Sequence, residues 1–172
     1  MTASIRSLMP AAVVTLGFGI AACAPSLADD LRRLTPVSPS PALSTTDSLV
    51  KLTLERTIVD RCKHGRGCPP FPLLASSGLS AASIPSSETV VFVLVTREEL
   101  QVLADRHDVV WYYYIYKVEI LADSAQVLLG HTLLTGVHAP GGVDLGSSMC
   151  NWAFRRVESQ WVIVGRALCL TA

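Results

Sequence analysis

The sequence predicts an α+β fold in which helices pack on one face of a curled antiparallel meander sheet of four to five strands. Two strand-like runs flank a turn within residues 149–170, and a second strand pair covers residues 109–137. A helix-start signal at residues 96–99 precedes both pairs. The predicted order is helix, strand, helix and then four antiparallel strands, with no internal repeat.

The first half of the predicted domain contains one helix, one loop and one strand. Residues 47–62 carry apolar side chains every four residues, and Asp47 or Thr46 is available as a cap. Alternation around Val50 also fits a strand, but the length favours a helix. Residues 62–88 lack periodicity and are expected to form a loop, and residues 89–95 form a β-branched, buried strand.

A capping box then predicts a helix, because the Thr96 hydroxyl and the Glu99 carboxylate can satisfy each other's backbone amides. The helix is expected to end near His107. Two long strands follow over residues 109–122 and 125–137, with a turn at residues 123–124. Gly130 within the second strand indicates a bulge or a close approach.

The closing hairpin is predicted with its turn centred on residues 159 and 160. That register pairs Cys150 with Cys169, Trp152 with Ala167, and Phe154 with Gly165. Large rings set against small partners interdigitate, so this hairpin is expected to form the inner face on which the helices pack.

The N-terminal residues 1–22 have the pattern of a signal peptide, since one cation, Arg6, precedes an apolar run that is too short for a comfortable membrane span. Its end, Ile20-Ala21-Ala22-Cys23, resembles the lipobox of bacterial lipoprotein precursors. The resemblance implies a lipid attached to Cys23, and Ala24 after it implies an outer-membrane lipoprotein facing the periplasm. Cleavage after Ala28, which follows a small-x-small pattern, would instead give a soluble periplasmic or secreted protein.

Residues 23–46 are rich in Pro and Ser and are expected to be a tether, which leaves 47–172 as a single domain. The chain carries 14 basic and 14 acidic side chains. This balance provides no overall field for nucleic acid, so no nucleic-acid partner is expected.

Four further cysteines in an exported chain predict two disulfides, Cys62 with Cys68 and Cys150 with Cys169. Cys62, His64 and Cys68 also have a spacing that zinc accepts, but no fourth ligand follows and export favours oxidation. We therefore expect neither a metal nor another cofactor.

The loop between the first two of these cysteines is basic. Four side chains could form an anion-binding patch beside its glycines: Arg61, Lys63, His64 and Arg66. A solvated disulfide loop explains the same residues and is favoured.

No catalytic residue is predicted. His131, His138, Asp144, Ser147 and Ser148 would supply a hydrolase triad by residue type, but no nucleophile elbow accompanies them. An enzyme is therefore the less favoured interpretation.

The densest aromatic cluster lies on the strand of residues 109–122, where Tyr112, Tyr114 and Tyr116 are expected to share one face. Core packing explains these rings as well as binding does. The favoured function is an anchored envelope protein that binds another envelope component through this face. The alternative is a small-ligand domain or an enzyme with a pocket lined by Tyr114, Tyr116 and His131. The order of elements is similar to nuclear-transport-factor-like and cystatin-like folds, which host unrelated functions.

Overall fold

The computed structural model describes residues 25–34, 36, 38, 44–63, 68–75, 79–139, 146–165 and 167–171. Its architecture is α+β, as predicted. The sheet is mixed and has seven strands, so the prediction of an antiparallel meander with four to five strands was wrong.

The helical elements are α1 (Leu27–Arg33), α2 (Thr45–Leu54), a π-helical turn (Glu55–Val59), α3 (Asp60–Cys62), a short 3-10 turn (Ala81–Ser83) and α4 (Arg97–His107). The strands are β1 (Phe71–Leu74), β2 (Phe92–Val95), β3 (Val109–Leu121), β4 (Ser124–Thr135), β5 (Ser148–Val157), β6 (Gln160–Ile163) and β7 (Leu168–Thr171). The strand order is β2-β1-β3-β4-β5-β6, and β7 also pairs with β5.

Strand β1 lies in the segment that was expected to be a loop, and it pairs in parallel with both β2 and β3. The Phe71 amide donates to the carbonyl of Val91, just before β2, and the Ala75 amide donates to the carbonyl of Val95, at the end of β2. Amides alternate in direction along a strand, so residue 72 faces β3, and there a proline has no amide to donate. The pairing of β1 with β3 is correspondingly short, since Leu73 with Tyr113 is the pair in register. Because β1 has only four residues and one of them is a proline, its sequence has no alternating pattern that would predict a strand.

Helices cover both faces of the sheet, whereas the prediction placed them on one. On the first face, α2 and the π-helical turn pack with Val127, Leu129 and Phe154. Trp152 also packs into this cluster, which confirms the closing hairpin as an inner surface. On the second face, α4 packs against β2 and β3.

Helix α1 forms within the stretch that was expected to be a tether. Ser26 caps it, and Leu31 is 2% exposed in the second core cluster. The buried Asp30 carboxylate lies 3.0 Å from His107 Nε2 and 3.3 Å from Arg106 Nη1. These contacts attach α1 to the end of α4, and the His107 hydrogen bond is the largest cause of the lowered pKa of Asp30.

The predicted helix over residues 47–62 is confirmed, although its cap is Ser44 rather than Asp47 or Thr46. Asp47 instead accepts hydrogen bonds from Ser83 at 2.6 Å, Ser44 at 2.7 Å and Ser80 at 2.8 Å. These hydroxyls, Ser83 foremost, lower the pKa of Asp47 to about 2. The carboxylate thereby joins the start of α2 to the 3-10 turn.

The capping box of Thr96 and Glu99 is present as predicted. The β3–β4 hairpin differs from its prediction by one residue at the turn, because Leu121 pairs with Ser124. A bulge between Ile115 and Lys117 also shifts the register along the strand. The alternation of side chains between the two faces of the sheet is therefore not continuous across this bulge.

The closing hairpin has two registers. Cys150 pairs with Cys169, as predicted, but Phe154 pairs with Ile163 rather than Gly165. The returning strand breaks into β6 and β7 around Gly165, which has a φ of 85°. The predicted pair of Phe154 with Gly165 was therefore wrong. Strands β5 and β7 have the predicted register, but their ladder ends at Asn151 with Leu168, one position before Trp152 and Ala167.

Both predicted disulfides, Cys62–Cys68 and Cys150–Cys169, are formed. The first closes the loop after α3. The second joins β7 to β5.

Gly130 allows the Tyr114 ring to lie against β4, because a Cβ added at Gly130 would overlap that ring. We expect Gly130→Ala to lower the free energy of unfolding by about 1–3 kcal/mol through this overlap. Chemical denaturation of the single and double variants checks it.

The control is Tyr114→Ala, which removes the obstructing ring. In that background, Gly130→Ala should cost much less than in the parent chain. Equal costs in the two backgrounds would show that the ring is not the cause.

Candidate functional site

A cleft of ≈ 430 Å³ opens beside the start of β1 and β3, between α1 and aromatic side chains of the sheet. Its walls come from α1, from the prolines around β1 and from aromatic residues of β3 and β4. The lining residues are Ser26, Leu27, Ala28, Leu31, Pro69, Pro70, Phe71, Pro72, Trp111, Tyr113 and His131. This volume falls within the range of small-molecule sites in proteins, and the lining is almost entirely apolar.

Three stacked rings form the sheet wall of the cleft. Tyr113 and His131 are direct cross-strand partners, and their ring centroids lie 4.3 Å apart. The Trp111 ring stacks on His131 at 4.8 Å. Trp111 is nevertheless 44% exposed, so part of its surface is free to stack on a ligand.

The opposite wall depends on the anchoring of α1. Leu27 and Ala28 line the cleft from the first turn of this helix, and Leu31 lies one turn further on. The buried Asp30, paired with His107 and Arg106, holds that turn in place.

A smaller recess of ≈ 140 Å³ adjoins the same rings, because Tyr113 and His131 line both cavities. The remaining lining residues are Thr57, Arg61, Leu129, Ser148, Cys150 and Cys169. The apolar cleft thus adjoins a more polar cavity, and the Tyr113–His131 pair contributes to the lining of both.

Electrostatics keep both of these shared side chains neutral at pH 7. Burial lowers the pKa of His131, and the positive charge of Arg61 lowers it further. Burial raises the pKa of Tyr113, with Arg61 acting in the opposite direction. A neutral imidazole and a neutral phenol can each both donate and accept a hydrogen bond.

The structure separates the tyrosines that were predicted to share one surface. Tyr112 is 9% exposed within the second core cluster, and Tyr114 packs beside it and over Gly130. Tyr116 lies at the bulge and is 64% exposed. The site residue His131 therefore lies beside Trp111 and Tyr113, rather than beside Tyr114 and Tyr116.

The predicted anion patch is only partly within the described residues, since His64 and Arg66 lie outside them. The Lys63 ammonium lies 2.7 Å from the Asp60 carboxylate, and the Arg56 guanidinium lies 3.0 Å from the same carboxylate. Arg61 instead lines the recess.

The residues considered for a hydrolase triad do not form one in the described part of the chain. Ser148 is the cross-strand neighbour of His131, but no hydrogen bond joins them there. His138 is exposed, Ser147 precedes β5, and Asp144 lies outside the described residues.

A metal centre likewise has no basis in the described residues, which contain no cluster of three or more potential ligands. The disulfide occupies both Cys62 and Cys68, the thiols considered for zinc. The lipid-attachment residue Cys23 and the signal peptide lie outside the described residues.

Another cavity, of ≈ 330 Å³, lies between α1 and α4. Much of its polar lining already has partners, because Asp30 pairs with Arg106 and Arg33 and Glu99 caps α4. Its apolar lining comes from Leu34, Val102 and Leu103. We regard it as a gap between two helices rather than as a binding site.

Among the residues described, no helix combines the length and the apolar character needed to cross a membrane. Comparison with known proteins finds no matching family model, no significantly similar curated protein and no significantly similar solved structure. The function is therefore argued from the chemistry of the cleft.

The lowered pKa of His131 predicts a specific loss of stability in mild acid. As the pH falls below the ordinary histidine pKa of about 6.5, His131 is protonated in the unfolded chain before it is protonated in the folded chain. The free energy of unfolding therefore decreases until the pH reaches the lower pKa of the folded state. We expect His131→Gln to reduce stability at pH 7 through lost stacking, and this difference to shrink as the pH falls below about 6.5.

Urea denaturation at several pH values measures this profile. The control is His138→Gln, which replaces an exposed imidazole and should follow the parent profile. A constant gap between parent and His131→Gln across that pH range would contradict the assignment.

Proposed function

We propose that this chain is an exported cell-envelope domain that binds a small ligand with a flat apolar ring in the cleft beside Trp111. The observation that carries the proposal is the stack of Trp111, His131 and Tyr113, which presents an exposed aromatic surface inside a cavity. Apolar cavities with a few polar groups at their edge are the usual form of small-ligand sites.

Binding of a macromolecule through a tyrosine face has less support. Tyr112 is in the core and Tyr114 is packed over Gly130, so only Tyr116 offers a large exposed surface among the three. A single exposed ring is ordinary on a protein surface. The small-ligand function is therefore preferred over the envelope-protein interface.

Export and anchoring form part of the proposal. The two disulfides are typical of oxidising compartments. Cleavage after Ala28 would remove the Ser26 cap and two residues of the cleft wall, Leu27 and Ala28. Processing before Cys23, with a lipid on that cysteine and the domain facing the periplasm from the outer membrane, would keep the site whole.

Intact-mass measurement on the membrane fraction tests the anchoring. We expect a mature chain that begins at Cys23 and carries acyl mass. A soluble chain beginning at Asp29 would contradict both the lipid anchor and the reason given for it.

Binding of 2-naphthylmethanol, a neutral flat probe, tests the cleft. We expect saturable binding by calorimetry and an approximately tenfold weaker affinity for Trp111→Ala, since a stacked ring contributes about 1 kcal/mol or more. The measurement is made on the folded variant, with circular dichroism as the check on folding.

The matched control is Tyr116→Ala, which removes an exposed ring of the same strand outside the cleft. It should bind the probe as the parent does. If Tyr116→Ala weakened binding and Trp111→Ala did not, the tyrosine face rather than the cleft would be the site.

A further inference from the structure

The recess beside the cleft contains a buried hydroxyl without a hydrogen-bond partner among the described residues. Thr57 is 5% exposed, lies in the π-helical turn and lines the recess. A buried hydroxyl that is left unsatisfied costs free energy, so such a group in a cavity indicates a missing partner.

The same helix provides a comparison for Thr57. Thr53, one turn earlier and fully buried, donates its hydroxyl to the Leu49 carbonyl at 2.9 Å. That bond is the usual way for a helical threonine to satisfy itself. The π-helical turn begins at Glu55 and contains Thr57, and at its end the Asp60 amide donates to the Glu55 carbonyl five residues earlier. Such turns are frequent at functional sites.

Among the described residues, Arg61 is the one cationic side chain that lines this recess. Arg61 follows Thr57 by four residues and forms no ion pair with any carboxylate that the structure describes. Its neighbours Arg56 and Lys63 both pair with Asp60. Arg61 is also the charged group that acts on His131 and Tyr113, which line both the recess and the cleft.

Among the described residues, no carboxylate lines the cleft or the recess. The polar groups that line the recess are the Arg61 guanidinium, the hydroxyls of Thr57, Ser148 and Tyr113, and the neutral His131 imidazole, all of which can donate hydrogen bonds. Guanidinium and hydroxyl donors together are complementary to a carboxylate, and a guanidinium binds one in a bidentate manner.

We propose that the ligand of the cleft is a small monocarboxylate, with its apolar ring on Trp111 and its carboxylate directed to Arg61 and Thr57. This inference rests on the proposed small-ligand function and adds the charge of the ligand. The apolar cleft holds the body of the molecule, and the adjoining polar recess, which shares Tyr113 and His131 with the cleft, selects its acidic group.

Three probes that share one ring test the charge preference: 2-naphthoate, neutral 2-naphthylmethanol and cationic 2-naphthylmethylammonium. By calorimetry on the disulfide-bonded protein, we expect naphthoate to bind about tenfold tighter than the alcohol, and the cation to bind weakest. Arg61→Gln should remove the advantage of naphthoate over the alcohol.

The matched control is Lys63→Gln, which neutralises a nearby cation that already pairs with Asp60. It should preserve the preference for naphthoate. An unchanged preference in Arg61→Gln, or its loss in Lys63→Gln, would overturn the assignment of Arg61.

Thr57→Val tests the inference through the melting temperature as well as through binding. It should raise the melting temperature, because an unsatisfied hydroxyl is removed, and weaken naphthoate severalfold. Thr53→Val, which loses a hydrogen bond, should lower the melting temperature and leave binding unchanged. A lowered melting temperature for Thr57→Val would show that its hydroxyl is satisfied within the protein and would contradict the inference.

The outcomes separate the two proposals. If the three probes bind equally well and all depend on Trp111, the small-ligand function stands and the carboxylate preference is wrong. If none binds, both proposals fail.

Discussion

The register of the β3–β4 hairpin is the constraint on which the candidate site depends. Because Tyr113 pairs with His131, the two rings stack on one face, and Trp111 joins them there. Tyr112 and Tyr114 consequently face the other side and enter the second core cluster. Since a strand alternates its side chains, a slip of one residue would exchange these sets and abolish the cleft wall.

This register also shows why the site could be predicted only in part. A turn at residues 123–124, with no bulge, would place His131 opposite Tyr116, and those two residues were expected to line one pocket. The actual turn lies one residue earlier, and the bulge between Ile115 and Lys117 moves the pairing further, so Tyr113 becomes the partner. Alternation identified the strand, but a bulge inside a continuous run of β-branched and aromatic residues leaves no signature in the sequence.

Local signals were predicted well and long-range ones were not. The capping box at Thr96 and both disulfides depend on residues that are close in sequence or in one hairpin, and all were correct. Strand β1 and helix α1 are short, and Pro72 and a Pro/Ser-rich neighbourhood conceal them. Their stability comes from tertiary contacts, such as that of Asp30 with His107, and a local sequence pattern does not predict such contacts. The unsatisfied hydroxyl of Thr57 could not be predicted either, because it lies in a π-helical turn that has no recognisable sequence pattern.

The central claim is that a ligand with a flat ring binds in the cleft, stacked on Trp111. The ring resonances of His131, which lines the same cleft beside Trp111, test this claim most directly. In protein with isotope-labelled histidine, addition of 2-naphthylmethanol should shift the ring signals of His131 through the ring current, while those of His107 and His138 stay in place. His107 pairs with Asp30 on the far side of α1, and His138 is exposed, so neither should sense the probe. Saturable binding that leaves the His131 signals unchanged would contradict the account.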